Sequence, residues 1–185
     1  MGWQDKIEVK KGNLGEAICR GLLEKDKYVI YAPVVEGAHL IDFFCHKESK
    51  NIIGAEVKTK RRTIKRFWGN VPGTGCNTKV FREYMHLQEK HNIDVKMFFV
   101  DQFERCIYGG WLSDISPGHK FLPGGQVIFR LDLMQVFYNL SAHQIEELKR
   151  LTKQGIHYSG VAKYFCQQPN NSALPTPGQL SFFSH

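Results

Sequence analysis

In the stretch HLIDFFCHKESKNIIGAEVKTK, residues 39–60, two apolar-rich runs flank the polar turn KESK. Each run carries ionisable residues that a buried strand does not need, Asp42 in the first and Glu56 with Lys58 in the second. Successive side chains of a strand alternate faces, so Glu56 and Lys58 project to one side with Ile52 and Gly54, and Ile53, Ala55 and Val57 to the other. An antiparallel hairpin centred on Ser49 sets Asp42 opposite Glu56, because positions 42 and 56 are equidistant from 49. Cross-strand partners approach to roughly 5.5 Å at Cβ, which gathers two carboxylates and one ammonium. Carboxylates that close repel unless a cation or a proton lies between them. Oxygen donors without His or Cys suit Mg²⁺ or Mn²⁺ rather than zinc. Lys58 is then placed to orient or deprotonate an attacking water and to offset charge developing on a phosphate. The plainer alternative makes these residues the wet face of a two-sided sheet, with Lys58 as an ordinary ion-pair partner. Their coincidence on one face, directly before a basic run, favours a site.

These residues need elements to hold them. The apolar positions Leu14, Ala17, Ile18, Gly21 and Leu22 form one helical stripe, predicting a helix over about 13–25 with Asn13 as its cap. YVIYAP (28–33) reads as a short strand, and AHLIDFFC and NIIGAEVK as the hairpin. WGNVPGTGCN (68–77), with Gly69, Gly73, Gly75 and Pro72, reads as a loop. Val80, Phe81, Tyr84, Met85 and Leu87 predict a second helix from Thr78, followed by strands in NIDVKMFFVD and RCIYGGWL. Residues 113–125 read as a loop before the strand QVIFRLDL. SAHQIEELKRLTKQG reads as a helix capped by Ser141 and stopped by Gly155, with a short helix in SGVAKYFC after it. The domain organisation expected is a core over 1–140, a helical appendage over 141–166 that packs or dimerises, and a proline-rich tail over 167–185.

The 185 residues suffice for one sizeable core, and 42% hydrophobic with 12% aromatic residues excludes overall disorder. Twenty-five Lys and Arg against eighteen Asp and Glu leave a net charge of +7 and a pI near 9.2. Such a surface attracts polyanions. The charge is concentrated in KTKRRTIKR, residues 58–66, where six of nine positions are basic and none acidic. Five cysteines without CxxC spacing argue against a disulfide framework and for a reducing compartment. No apolar run approaches the ~20 residues that span a bilayer, so a cytoplasmic protein with no membrane partner is expected.

The pattern IDFF…GAEVK, in which thirteen residues separate Asp42 from Glu56-Val57-Lys58, resembles the acidic and E-x-K motifs of the PD-(D/E)XK nuclease superfamily, to which Holliday junction resolvases and restriction endonucleases belong. GNLGEAI resembles that superfamily's first-helix motif, and the order helix, three strands, helix, strand resembles its core over about residues 12–101. Asp42 lacks the preceding proline for which the superfamily is named. The resemblance implies a restriction endonuclease-like α/β (α+β) fold, αβββαβ, with a mixed central sheet flanked by helices and a C-terminal helical appendage. It implies metal binding by Asp42, Glu56 and the Val57 carbonyl, water handling by Lys58, and a catalytic role for Glu16 through a metal-bound water. The alternative for Glu16 is a surface ion pair with Arg20.

The function expected is Mg²⁺- or Mn²⁺-dependent hydrolysis of DNA, structure-selective or serving repair or mobile elements, by a chain that can act as a homodimer. A silent nucleic-acid-binding module and an RNA-cleaving enzyme are the alternatives. Lys60, Arg61, Arg62, Lys65 and Arg66 are expected on phosphates, with Lys79 and Arg82 at the start of the second helix. Phe67 and Trp68 offer rings for stacking, or else dock their loop onto the core.

Overall fold

The structure is a computed structural model that describes residues 7–33, 40–48, 51–61 and 64–152, with backbone alone at 7, 8 and 65–67. The first helix, α1 (Ile7–Lys25), begins earlier than its sequence signal, so Gly12 and Asn13 lie inside it and Asn13 is not its cap. Tertiary contacts override the weak local propensity there. The Lys11 ammonium donates to Gln102 at 3.1 Å, and Gly15 lies against Thr59 of the sheet.

Three strands follow, β1 (Val29–Tyr31), β2 (Phe43–His46) and β3 (Ile53–Lys60). A second pair, β4 (Ile64–Trp68) and β5 (Val71–Asn77), precedes α2 (Thr78–His91), β6 (Val95–Asp101), β7 (Cys106–Trp111) and the single turn α3 (Leu112–Ile115). The remaining elements are β8 (Lys120–Leu122), β9 (Gln126–Arg130), β10 (Gln135–Asn139) and α4 (Ala142–Thr152). Among the described residues the strands form a six-stranded sheet, β1-β2-β3-β6-β7-β10, and a four-stranded sheet, β4-β5-β9-β8. The larger sheet is mixed, because β3 and β6 run parallel while its other pairs are antiparallel. The α-β-β-β-α-β order expected from the sequence is thus present in α1, β1, β2, β3, α2 and β6, with a mixed central sheet between helices.

The glycine-rich stretch expected as a loop is instead a hairpin arm. Gly69, at φ +65°, supplies the turn between β4 and β5. Gly73 and Gly75 let β9 approach so closely that a Cβ on Gly75 would stand 1.9 Å from the Val127 carbonyl oxygen. These glycines serve sheet pairing rather than flexibility. Residues 113–125 also hold more structure than expected, namely most of α3, a 3₁₀ turn (Ser116–Gly118) and β8, and QVIFRLDL leaves its strand for a second 3₁₀ turn at Leu131–Leu133.

Two buried clusters lie on opposite faces of the larger sheet. One joins α1 and α4 through Ile18, Cys19, Leu23, Ile145 and Leu148 to Ala55, Val57, Phe98 and Val100. The other joins Phe81 and Tyr84 of α2 to Met97 and Phe99, and to Cys76, Val127 and Phe129 of the smaller sheet. The start of the C-terminal helical segment is therefore a wall of the core. Its cap is reciprocal, with Gln144 N–H donating to Ser141 Oγ at 3.2 Å and Ser141 N–H to Gln144 Oε1 at 2.8 Å. SGVAKYFC and the tail lie outside the described residues. Among the described residues no helix is long and apolar enough to cross a membrane.

The crossing of α1 over β3 is close enough to test. A Cβ on Gly15 would stand 2.0 Å from Thr59 Oγ1 and 3.3 Å from Thr59 Cβ. Gly→Ala in a helix interior ordinarily stabilises by about 1 kcal/mol. Here Gly15→Ala is expected to lower the melting temperature, and adding Thr59→Ala to reverse the loss. A double-mutant cycle by chemical denaturation should show coupling above about 1 kcal/mol, and additive changes would contradict the contact.

Candidate active site

The hairpin forms with the register that brings the acids together. Phe43 pairs with Ala55, Phe44 with Gly54 and Cys45 with Ile53, each pair symmetric about position 49, so the same register sets Asp42 opposite Glu56. Asp42 itself precedes β2 in a bend, and its backbone and side chain complete the pairing. Val57 N–H donates to Asp42 Oδ2 at 2.7 Å, and Asp42 N–H reaches Glu56 Oε2 at 3.3 Å.

Alternation along β3 then divides its side chains. Ala55 and Val57 enter the cluster under α1 and α4, while Glu56 and Lys58 face α2 and the smaller sheet. Glu56 is only 2% exposed, so the wet-face alternative does not describe it. A buried carboxylate requires donors. Glu56 Oε1 receives two, the Lys58 ammonium and, at 2.6 Å, the hydroxyl of Tyr84 from α2. Burial foremost, then the Asp42 charge, pushes the Glu56 carboxyl up to about 7, against the opposing pull of Lys58 and Tyr84. Burial works to lower the Lys58 ammonium, but Glu56 and Asp42 outweigh it and hold it above its usual range. Lys60, next on this face, is lowered, chiefly by burial and also by Lys58. Cys76 of β5 lies in the same field and is pushed up to about 11 by burial.

Asp42, Glu56, Val57 and Lys58 are thus brought together by one hairpin. Glu16 is half-buried on α1. Burial foremost, then the Asp42 and Glu16 charges, raise the Cys19 thiol. Among the described residues no group of three or more His, Cys, Asp or Glu side chains gathers to hold a metal, and Arg20 pairs with Glu24 at 2.9 Å. Of the basic residues, Lys60 and Arg61 are half-buried at the end of β3. Arg62 and the side chains of Lys65, Arg66 and Phe67 lie outside the described residues. Lys79 and Arg82 are exposed on the first turns of α2, where the Lys79 N–H is taken by the Asn77 cap at 2.8 Å. Trp68 is docked, lying over Gly73 with the Lys120 ammonium 5.3 Å from its ring centre.

Tyr84 escaped the sequence reading because it falls on the apolar stripe of α2. The available signal was that this stripe must face either Glu56 or the opposite side of β3, and a tyrosine there brings a donor with it.

The Glu56 carboxyl gives a pH signature. Its pKa in the folded chain lies above the ordinary 4.5, so the stability it contributes is fully present below about 4.5 and is lost as pH rises through about 7. With chelator present, the stability of Glu56→Gln relative to wild type should therefore climb between those values and level off above them. A difference independent of pH, measured by thermal melts from pH 4 to 9, would remove the burial argument.

No family model and no curated protein matches the sequence. Among solved structures, the chain is similar to Hjc, a Holliday junction resolvase of the archaeal hyperthermophile Archaeoglobus fulgidus. The superposition has a TM-score of 0.48 and 7% sequence identity, covering 66% of this chain and 90% of that one.

Proposed function

We propose that this protein is a nuclease that hydrolyses DNA phosphodiester bonds with a divalent metal, Mg²⁺ or Mn²⁺. The observation that carries the reading is the buried Glu56 carboxylate, opposed in register by Asp42 and held by Lys58. The donor set fits such a cation, since it is hard oxygen alone and a charge between Asp42 and Glu56 would offset the burial and the Asp42 repulsion that raise Glu56. Asp42, Glu56 and the Val57 carbonyl would hold the ion. When bound, it would supply a polarised water and neutralise charge on the phosphate.

The chain's own groups do the rest. Lys58 keeps its proton beside Glu56, which suits it to hydrogen-bond an attacking water or a phosphate oxygen and to offset charge there. Lys60, Arg61, Arg62, Lys65 and Arg66 follow it in sequence and would seat the flanking phosphates, with Lys79 and Arg82 on α2. Glu16 would act through a metal-bound water. The free, buried cysteines Cys19, Cys45, Cys76 and Cys106 support a reducing compartment such as the cytoplasm. Since the described residues form no separate recognition domain, structure-selective cleavage in repair, recombination or mobile-element processing is the finer reading, by a monomer or a homodimer.

Junction, flap, single-stranded and linear duplex DNA, with a matching RNA set, should be incubated in Mg²⁺, Mn²⁺ or chelator. Cleavage should need metal and fall at least about a hundredfold in Asp42→Asn, Glu56→Gln and Lys58→Ala, with DNA binding kept. Turnover near wild type in any of the three would sink the site, RNA cleavage alone would change the substrate, and binding without cleavage would make the chain a silent module. The basic run has its own measurement. In metal-free protein, Arg62→Gln with Arg66→Gln should flatten the slope of log K against log salt by roughly 2. An unchanged slope would take those arginines off the DNA.

A further inference from the structure

We infer that Tyr84 is the positioning residue of Glu56, fixing which carboxylate oxygen is presented to a metal; the inference rests on the nuclease reading above. Tyr84 is fully buried, and its hydroxyl donates to Glu56 Oε1 at 2.6 Å. Lys58 donates to that same oxygen. A carboxylate rotates easily about its last side-chain bond, and two donors from different directions, one from α2 and one from β3, remove that freedom. The other oxygen, Oε2, is then the one turned toward Asp42, whose N–H it accepts at 3.3 Å. Asp42 is oriented in the same manner by Val57 N–H on its Oδ2. Glu56 Oε1 is thus held by Tyr84 and Lys58, Glu56 Oε2 by the Asp42 N–H, and Asp42 Oδ2 by the Val57 N–H.

The helix that carries Tyr84 is itself fixed. Asn77 caps its start, Phe81 packs on Phe129 with ring centroids 5.6 Å apart, and the left-handed Asn92 closes its end by donating to the Gln88 carbonyl at 3.1 Å. Tyr84 therefore enters the site from a rigid element, as a group that orients a metal ligand must.

The test separates orientation from mere packing. Tyr84→Phe keeps the ring and removes the hydroxyl, whereas Phe81→Leu loosens the same helix face without touching Glu56. Calorimetric titration with Mn²⁺ should give about tenfold weaker binding in Tyr84→Phe and unchanged binding in Phe81→Leu. In cleavage assays the Mg²⁺ concentration for half-maximal rate should rise by about the same factor, while kcat at saturating Mg²⁺ stays within about twofold. Equal weakening in both variants, or a wild-type constant in Tyr84→Phe, overturns the positioning role while leaving the nuclease reading intact. Wild-type protein that neither binds Mn²⁺ nor cleaves overturns both.

Discussion

The rest of the molecule depends on the burial of one carboxylate. Moving an ionised carboxylate out of water is costly unless it is paired and hydrogen-bonded, and a protein that cannot meet that cost protonates the group instead. Glu56 sits between these outcomes. Lys58, Tyr84 and the Asp42 N–H supply its partners, yet burial and the Asp42 charge still hold its carboxyl near neutrality. An interior that tolerates this gains nothing in stability from the acid pair itself. Such an arrangement suits a site whose missing counter-charge arrives from solution.

Covering Glu56 requires walls on a face that an antiparallel sheet could have left wet. The parallel pairing of β3 with β6 places the acid in the middle of the sheet, where both faces must be covered. Helix α2 provides one part of the cover and the smaller sheet the rest, with Cys76, Val127 and Phe129 packed against Phe99 and Phe81. That sheet closes only because Gly73 and Gly75 lack side chains where β9 crosses. The glycines are thus linked, through β5 and β9, to the environment that Lys58 and Lys60 experience.

The parts of this design that depend on local periodicity were legible in the sequence. The hairpin register followed from symmetry about Ser49, and the helices from Thr78 and Ser141 followed from their stripes and caps. What escaped depends on non-local packing. The start of α1 ran past Asn13 because Gln102 and Thr59, far along the chain, hold it. WGNVPGTGCN looked like a loop because composition cannot tell a glycine that bends the chain from one that admits a neighbouring strand. Tyr84 was hidden for a related reason. Helical spacing shows that it faces inward but not that a carboxylate waits there.

β3 reconciles stability with chemistry by assigning them to different faces. Ile53, Ala55 and Val57 enter the apolar cluster under α1 and α4, with Phe98 and Val100 beside them, and that contact supplies hydrophobic stabilisation without any polar atom to satisfy. Glu56, Lys58 and Lys60 occupy the alternate positions, where like and unlike charges crowd together. Because the strand repeats every two residues, a slip of one position in its pairing would exchange the two sets and turn these charges toward α1. The apolar face therefore does more than offset the cost of the charged one. It forbids that slip, and in doing so fixes Asp42 opposite Glu56, the geometry on which the proposed chemistry depends.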